Sequence, residues 1–341
     1  MNKWYEMNSK NDDVVVSSRI RLARNLANYR FADRISAEEA VELIENVSEA
    51  VKKKYDGEFN CILMKDCSEN KKKALKEKRQ ISNALVNRKD SAVLLSSDES
   101  LSLMLNAEDH IRIQALSNGM NISEAFRKAN ELDDFLDSEF DYAFDEKYGY
   151  KTTYPTNVGT GLRAGYTLHL PGLAAAKRIS KIATELGRFG VKMKAVYGDD
   201  VGYGDFYQVA TQKTLGQTEQ EIINDLNDVV MQIIKQEREQ RSYLYEKDRV
   251  KLEDGVYRSY GVLKYARKLT LRDSLTLIGE IMLGNSLGII TMEPETRFFV
   301  NKIIMDIQPA VINNTSQRPM SVEEADIIRA QYIRNNCPDI I

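Results

Sequence analysis

Four segments of the chain alternate with period two and carry charge on one side only. In Ser17–Leu22, Arg19 and Arg21 share a side, and Ile20 and Leu22 take the other. Leu105–Gln114 sets Glu108, His110, Arg112 and Gln114 against Leu105, Ala107, Asp109, Ile111 and Ile113. Leu162–Leu170 sets Arg163, Gly165, Thr167 and His169 against Leu162, Ala164, Tyr166, Leu168 and Leu170, and Val191–Tyr197 pairs Lys192 with Lys194. Successive side chains of a strand point to opposite faces. If these strands are neighbours, Arg19, Arg21, Arg112, Arg163 and Lys194 meet on one sheet face. Guanidinium groups bind phosphate oxygens in pairs, so such a face suits a polyphosphate. For any single strand a solvated polar face is an equal account. Four strands with the same habit favour an anion site.

Carboxylates would add a second chemistry. A guanidinium acceptor has a pKa above about 12, so its attacking nitrogen must be aligned and must lose a proton as a new bond forms. Glu108 shares the side of Arg112, and Asp199 and Asp200 lie in the Gly198–Asp205 loop. Other phosphate-binding devices are missing. No Gly-Lys dipeptide occurs, which excludes a Walker A loop, and the protein-kinase catalytic motif is absent. Gly159-Thr-Gly161-Leu-Arg-Ala164 fits the letters of a dinucleotide fingerprint but precedes a strand pattern, where that fingerprint must follow one.

The elements that must position these residues fall into two groups. Ser36-Ala-Glu-Glu39 is a capping box opening a helix to about Tyr55, and Ile122–Phe144 and Leu173–Phe189 have helical spacing. Lys71–Arg79 is a basic run expected as a solvated helix face or loop, and Ala92–Leu95, Leu101–Ala115 and Phe206–Thr211 read as strands. Tyr154–Gly161 is a turn-rich loop, and Thr218-Glu-Gln-Glu221 caps a helix running toward Lys247. Strand alternation then stops. Helices are expected at 253–267, 271–287, 293–309 and 321–336, the last opened by Ser321-Val-Glu-Glu324. The fold class is α+β: an antiparallel sheet flanked by helices over 1–250, then an all-α domain over 251–341.

Composition bounds the rest. The chain has 341 residues, 43% of them hydrophobic, enough for a buried core. A net charge of −3 gives no basic footprint for nucleic acid. Three cysteines (Cys61, Cys67, Cys337) and two histidines suit neither a disulfide framework nor a zinc site. Met1–Asp13 has no apolar signal core, and no apolar run approaches the ~20 residues of a membrane span. A cytoplasmic protein with no membrane partner is expected.

Ser18-Arg-Ile-Arg-Leu-Ala-Arg-Asn25, Glu108-Asp-His-Ile-Arg-Ile113 and Pro155-Thr-Asn-Val-Gly-Thr-Gly-Leu-Arg-Ala164, in this order, resemble the ATP:guanido phosphotransferases, and most of all the bacterial protein-arginine kinases. The resemblance implies a kinase using ATP, with Mg²⁺ held mainly through the nucleotide phosphates. It places nucleotide contacts at Ser18, Arg19, Ile20, Arg21 and Leu22, at Arg79 and Arg112, at Arg163, Ala164, Gly165, Tyr166 and Thr167, and at Lys194, Ala195, Val196, Tyr197 and Gly198. Arg19, Arg21, Arg112 and Arg163 would hold the phosphates. Glu108 would align and deprotonate the acceptor, with Asp199 as a second carboxylate.

Ala325-Asp-Ile-Ile-Arg-Ala330 is similar to a phosphoarginine-binding motif, which implies a pocket at Asp326, Arg329 and Ala330. The implied partners are proteins bearing exposed arginines, an activating adaptor, a Clp-type protease, and further copies of the chain as a homodimer or larger assembly. The chain departs from the family pattern in several places, among them Ala107 for the first Glu of the usual Glu-Glu-Asp-His run and Arg79 for a frequent His. Tyr154 stands where a reactive Cys is usual, Lys194 replaces an Arg, Asp199 replaces a Glu, and Ala325 replaces the leading Arg of the pocket motif. A small-molecule guanidino kinase and a catalytically weakened phosphoarginine- or nucleotide-binding regulator are the alternatives. The first is disfavoured because the N-terminal helical domain of creatine and arginine kinases has no counterpart in the chain.

Overall fold

In the computed structural model the alternating segments build one eight-stranded sheet in which every neighbouring pair is antiparallel. The structure describes residues 3–6, 11–198, 202–292, 301–316, 318–337 and 339–340. The strands are β1 (Val15–Arg24), β2 (Phe59–Leu63), β3 (Ala92–Ser96), β4 (Leu101–Leu105), β5 (Ile111–Asn118), β8 (Leu162–His169), β9 (Val191–Ala195) and β10 (Phe206–Thr211). Their order across the sheet is β2-β3-β4-β5-β1-β8-β10-β9. Between β5 and β8 in sequence, β6 (Phe144–Asp145) and β7 (Gly149–Tyr150) form a separate small hairpin.

One face of the sheet is apolar from end to end. Ile20 and Leu22, Ile111 and Ile113, Leu162 to Leu168 at every second position, and Val209 are all fully buried there. They pack against α1 (Ala37–Lys54), α4 (Ile122–Glu139), α6 (Ile179–Arg188) and α7 (Glu219–Lys247). Ser36 and Thr218 close their predicted capping boxes with Glu39 and Glu221, which fixes where α1 and α7 begin. The opposite face is apolar in two patches. Val93, Leu95 and Met104 pack there under α3 (Asn83–Asn87), which follows α2 (Glu69–Glu77). Phe206 packs under the C-terminal helices. From β5 to the edge strand β9, the rest of that face carries the charge.

Four readings change. Leu105–Gln114 is not one strand: Asn106, at φ 53°, starts a tight turn in which its amide meets the His110 carbonyl at 2.8 Å. Glu108 therefore sits in a turn. His110 is fully buried, its Nδ1 accepting from the Leu26 amide and its Nε2 lying 2.7 Å from the Arg30 carbonyl, so it leaves the polar face. The expected helix Leu173–Phe189 begins two residues earlier and divides into α5 (Pro171–Ala175) and α6, with Lys177 at φ 56° between them. The helix from Ile122 stops at Glu139, and Phe144 belongs to the hairpin. β2 was not anticipated, because Phe59–Leu63 at the sheet edge has no clean alternation.

After α7 come α8 (Arg249–Tyr265), α9 (Leu271–Ser286), residues 301–306 (α10), α11 (Pro309–Asn313) and α12 (Val322–Asn336). The first eight residues of the expected 293–309 helix lie outside the described residues, and Pro309 opens a separate helix. These helices share a core that includes Leu275, Ile278, Ile303, Ile307 and Ile333. Arg241 of α7, almost fully buried, ties them to the sheet. Its guanidinium donates to the Asp13 carbonyl (2.9 Å), the His169 carbonyl (2.8 Å), Glu237 (2.6 Å) and the Ser286 hydroxyl (2.9 Å).

Arg24, at the end of β1, is a second buried tie. It contacts Asp133 of α4 at 2.6 Å, donates to the Thr160 carbonyl at 2.9 Å and lies 3.5 Å over the Tyr150 ring. It thereby anchors the loop that carries Tyr154 and Asn157 to the sheet. Arg24→Met should destabilise the chain by about 3–5 kcal/mol in urea denaturation, because Asp133 is left buried and uncompensated. Adding Asp133→Leu to that variant should recover most of the loss. An Arg24→Met protein with unchanged stability would show that the pair carries no structural weight.

Candidate active site

The charged middle of the sheet is the floor of a cleft of about 580 Å³. β1 delivers Arg19 and Arg21, β5 delivers Arg112 and Gln114, β8 delivers Arg163, β9 delivers Lys192 and Lys194, and β10 delivers Gln208 and Ala210. Arg79 and Ser82 enter from the turn after α2, and Tyr154 and Asn157 from the loop before β8. Eight basic and two acidic side chains line the cleft, in a chain whose net charge is −3. That local excess of positive charge selects a polyanion.

The register makes the crowding explicit. Arg21 lies directly across from Arg163 on β8 and from Gln114 on β5. Like charges directly opposite on a sheet are unfavourable, so this pair stores repulsion until an anion arrives. The Arg21 Nε is buried with no hydrogen-bond partner among the described residues. Burial, then the fields of Arg19, Arg112 and Arg163, push the Arg21 pKa down. Burial with Arg79 and Arg112 does the same to Arg19. Burial, followed by Arg19 and Lys192, lowers Lys194. Guanidinium groups keep their proton regardless. Burial and mutual repulsion both favour an anion entering among these groups.

Arg163 is already oriented: Asn157 Oδ1 (3.2 Å) and the carbonyls of Thr211 (3.0 Å) and Thr156 (2.6 Å) accept from it. Gly165 faces Arg19 on β1 and Ala210 on β10. A Cβ at Gly165 would lie 3.0 Å from both the Ala210 Cβ and the Val209 carbonyl, so glycine lets β10 close the floor.

Arg79 has a left-handed backbone, φ 59°, just beyond the last turn of α2. Glycine is the usual residue there, and a bulky side chain in that conformation costs about 1–2 kcal/mol. The Arg79 guanidinium donates to Thr167 Oγ1 (2.8 Å) and Tyr197 Oη (3.3 Å) on the rim of the cleft. Backbone strain kept for a side chain aimed into a cleft points to function.

Glu108 places one carboxylate in this field. Arg112 Nη1 is 2.6 Å from Oε1, and the Ser82 hydroxyl donates to Oε2 at 3.1 Å. Burial alone would raise the Glu108 pKa, but Arg112, then Ser82, hold it below the usual glutamate value. Glu108 is therefore ionised at neutral pH, beside the phosphate-seeking arginines, where a cationic acceptor would be drawn. Asp109, its neighbour, is spent on structure, accepting from Asn25 Nδ2 (2.8 Å) and the Thr153 amide (2.7 Å).

Of the residues expected at the nucleotide, the structure gathers Arg19, Arg21, Arg79, Arg112, Arg163 and Lys194 along the cleft with Glu108, while Leu22 borders it with its side chain buried in the core of the apolar face. Thr167 and Tyr197 touch it through Arg79. Ile20, Ala164 and Tyr166 point to the apolar face by strand alternation, and Ser18 is buried in hydrogen bonds to the Gly119 carbonyl and the Asn121 amide. Ala195 packs against the core of that apolar face, and Val196 against the core of the C-terminal helices. Gly198, at φ 78°, opens the loop beyond β9. Asp199 and Asp200 lie outside the described residues.

Ser82, Lys192, Gln208 and Ala210 were not among the expected site residues. Alternation in Phe206–Thr211 places Gln208 and Ala210 on one side, a signal available in the sequence. Ser82 carried none: it stands at the N-cap of α3, yet its hydroxyl turns to Glu108 instead of capping the helix.

The C-terminal trio differs from an open anion pocket. Asp326, Arg329 and Ala330 are all buried. Arg329 pairs with Asp326 and donates to the carbonyls of Ile307 (2.9 Å) and Leu269 (3.0 Å). The trio is an interior tie between α12 and the segments before α9 and α11. Without the leading arginine, Ala325 adds no donor to it.

Comparison with known proteins follows this geometry. Residues 41–240 match the sequence model of the ATP:guanido phosphotransferase C-terminal catalytic domain, and residues 249–340 match that of the protein-arginine kinase McsB C-terminal domain. A protein-arginine kinase of Bacillus cereus (strain G9842) is 39% identical over 339 residues, covering 97% of this chain and 94% of its own. One of Clostridium novyi (strain NT) is 39% identical over 345 residues, covering 100% and 99%. Among solved structures, lombricine kinase superposes with a TM-score of 0.58 at 19% identity, over 70% of this chain and 69% of that one. The duplicated taurocyamine kinase of Schistosoma mansoni, with bound transition state analog components, gives 0.60 at 20% identity, over 81% of this chain and 41% of that one. At such identities the structural likeness concerns the fold.

Proposed function

The chain belongs to the ATP:guanido phosphotransferase family and is a protein-arginine kinase, and from that premise we propose that its cationic cleft binds ATP and passes the γ-phosphoryl group to arginine side chains of other proteins. One observation carries the reading. Arg19, Arg21, Arg112 and Arg163, from three adjacent strands, meet with Arg79 and Lys194 and, among the described residues, with one ionised carboxylate not already spent on structure, Glu108.

The arginines hold the phosphate oxygens and neutralise the charge that spreads over the transferring group. Glu108 pairs with the incoming guanidinium and turns one nitrogen toward phosphorus. The new P–N bond forms as the bond from phosphorus to the bridging oxygen of ADP breaks, in line, and the nitrogen's proton leaves toward Glu108. Among the described residues no three metal-ligating side chains cluster. A Mg²⁺ would enter with the phosphates and share the neutralisation of their charge.

In this reading modified proteins are marked for a Clp-type protease, an adaptor activates the kinase, and the C-terminal helices support a homodimer. The reading places the enzyme in the cytoplasm, acting in stress; none of the described helices is long and apolar enough to cross a membrane. The test is peptide mass spectrometry of a casein-like protein after reaction with Mg²⁺ and ATP, under conditions that preserve P–N bonds. Acid-labile phosphate on arginine is the expected product. Phosphate found only on free arginine would convert the reading to a small-molecule guanidino kinase.

A further inference from the structure

We propose that Glu77 is a positioning residue that couples the C-terminal helices to nucleotide binding, by clamping α11 against α2 and so holding Arg79 in place over the cleft. The proposal rests on the reading that the cleft binds ATP. Glu77 is the last residue of α2. Its Oε2 accepts from the amides of Ala310 (2.7 Å) and Val311 (3.1 Å). Pro309 before them has no amide hydrogen, so these are the first two donors of α11. A helix in the catalytic half thus caps a helix 233 residues further along the chain.

Three contacts widen the joint. Ala74 packs with Ala310 and Val311. Asn70 Nδ2 donates to the Ala310 carbonyl at 3.2 Å. Lys78 lies 3.6 Å from Asp306, which also accepts from Tyr332 of α12 at 2.7 Å. The Ile307 carbonyl, two residues before Pro309, is held by Arg329. Arg79 follows Glu77 by two residues, too few to absorb a shift of the helix end. Its amide bonds the Lys76 carbonyl, its own carbonyl accepts from Gln114 Nε2 at 2.6 Å, and its guanidinium reaches Thr167 and Tyr197. A strained φ persists only where the surroundings over-determine it. The α2–α11 joint is one of those surroundings, and it belongs to the C-terminal helices.

Calorimetric titration of the full chain with Mg²⁺ and ATP tests this. Glu77→Ala should weaken ATP binding about five- to tenfold. The ATP KM should rise by the same factor, while kcat and the KM for the protein acceptor change less than about twofold. Glu77→Gln should stay within about twofold of wild type, because an amide oxygen accepts the same two bonds. Glu77→Ala added to Arg79→Ala should cost nothing further, since both act through one contact. Wild-type-like ATP binding by Glu77→Ala overturns the coupling, as do additive losses in the double variant or an equal fall in kcat. A wild-type chain that binds no ATP overturns the reading of the cleft, and the coupling with it.

Discussion

Glu108→Gln should lower kcat for arginine phosphorylation by about 10²–10⁴-fold and leave ATP affinity equal to or tighter than that of wild type. The two effects separate because Glu108, among the described residues, is the cleft carboxylate paired with a phosphate-binding arginine rather than spent on structure. Removing its charge frees Arg112, now 2.6 Å away, for the nucleotide. What is lost is the partner of the incoming guanidinium.

The size of the pKa gap says how that partner works. A glutamate held below its usual range faces a guanidinium above about 12, so ground-state proton transfer is strongly uphill. The proton therefore moves only as the P–N bond forms, and Glu108 contributes mainly by alignment until then. The same lowered pKa fixes the pH dependence. A depressed carboxylate stays ionised as pH falls toward its folded value, so the acid limb set by Glu108 lies below the usual glutamate range. Acidifying from about pH 8 to about pH 5 should not reproduce the loss seen in Glu108→Gln. A Glu108→Gln enzyme with near-normal turnover would sink this assignment.

Arg21→Met should act in opposite directions on stability and on binding. Without nucleotide, the half-buried Arg21 lies opposite Arg163, with its Nε buried and unpartnered among the described residues. Methionine keeps most of the apolar stem and removes the repulsion, so urea denaturation should show a gain of about 1 kcal/mol. ATP affinity should fall about 10- to 150-fold, the value of charge-assisted hydrogen bonds worth about 1.5–3 kcal/mol. Few substitutions in a structural core have that signature, since losing a core contact lowers stability first. Arg21→Met that weakens the folded chain and leaves ATP binding alone would mean the arginine serves the fold. High salt should shrink both effects, because each is electrostatic.

How far the sequence could be read depended on how local the physics was. Ser36 with Glu39 and Thr218 with Glu221 placed the starts of α1 and α7, because a capping box is settled within four residues. Period two in Ser17–Leu22 and Leu162–Leu170 showed which side chains share a face. It stated nothing about which strands adjoin. Glu108 shows the limit: alternation put it on a strand face, and the Asn106 turn put it elsewhere, still within reach of Arg112.

By itself, then, the sequence determined the fold class and the sidedness of Ser17–Leu22 and Leu162–Leu170, and it singled out the arginines now found along the cleft. Those follow from backbone geometry and side-chain spacing, which act over a few residues. Only the tertiary structure decided that β5, β1 and β8 lie side by side with Arg21 facing Arg163. It alone turned Ser82 toward Glu108, buried Arg329 and joined Glu77 to α11. Each of those is a contact between distant segments, set by which packing buries the most apolar surface and leaves the fewest amides unpaired.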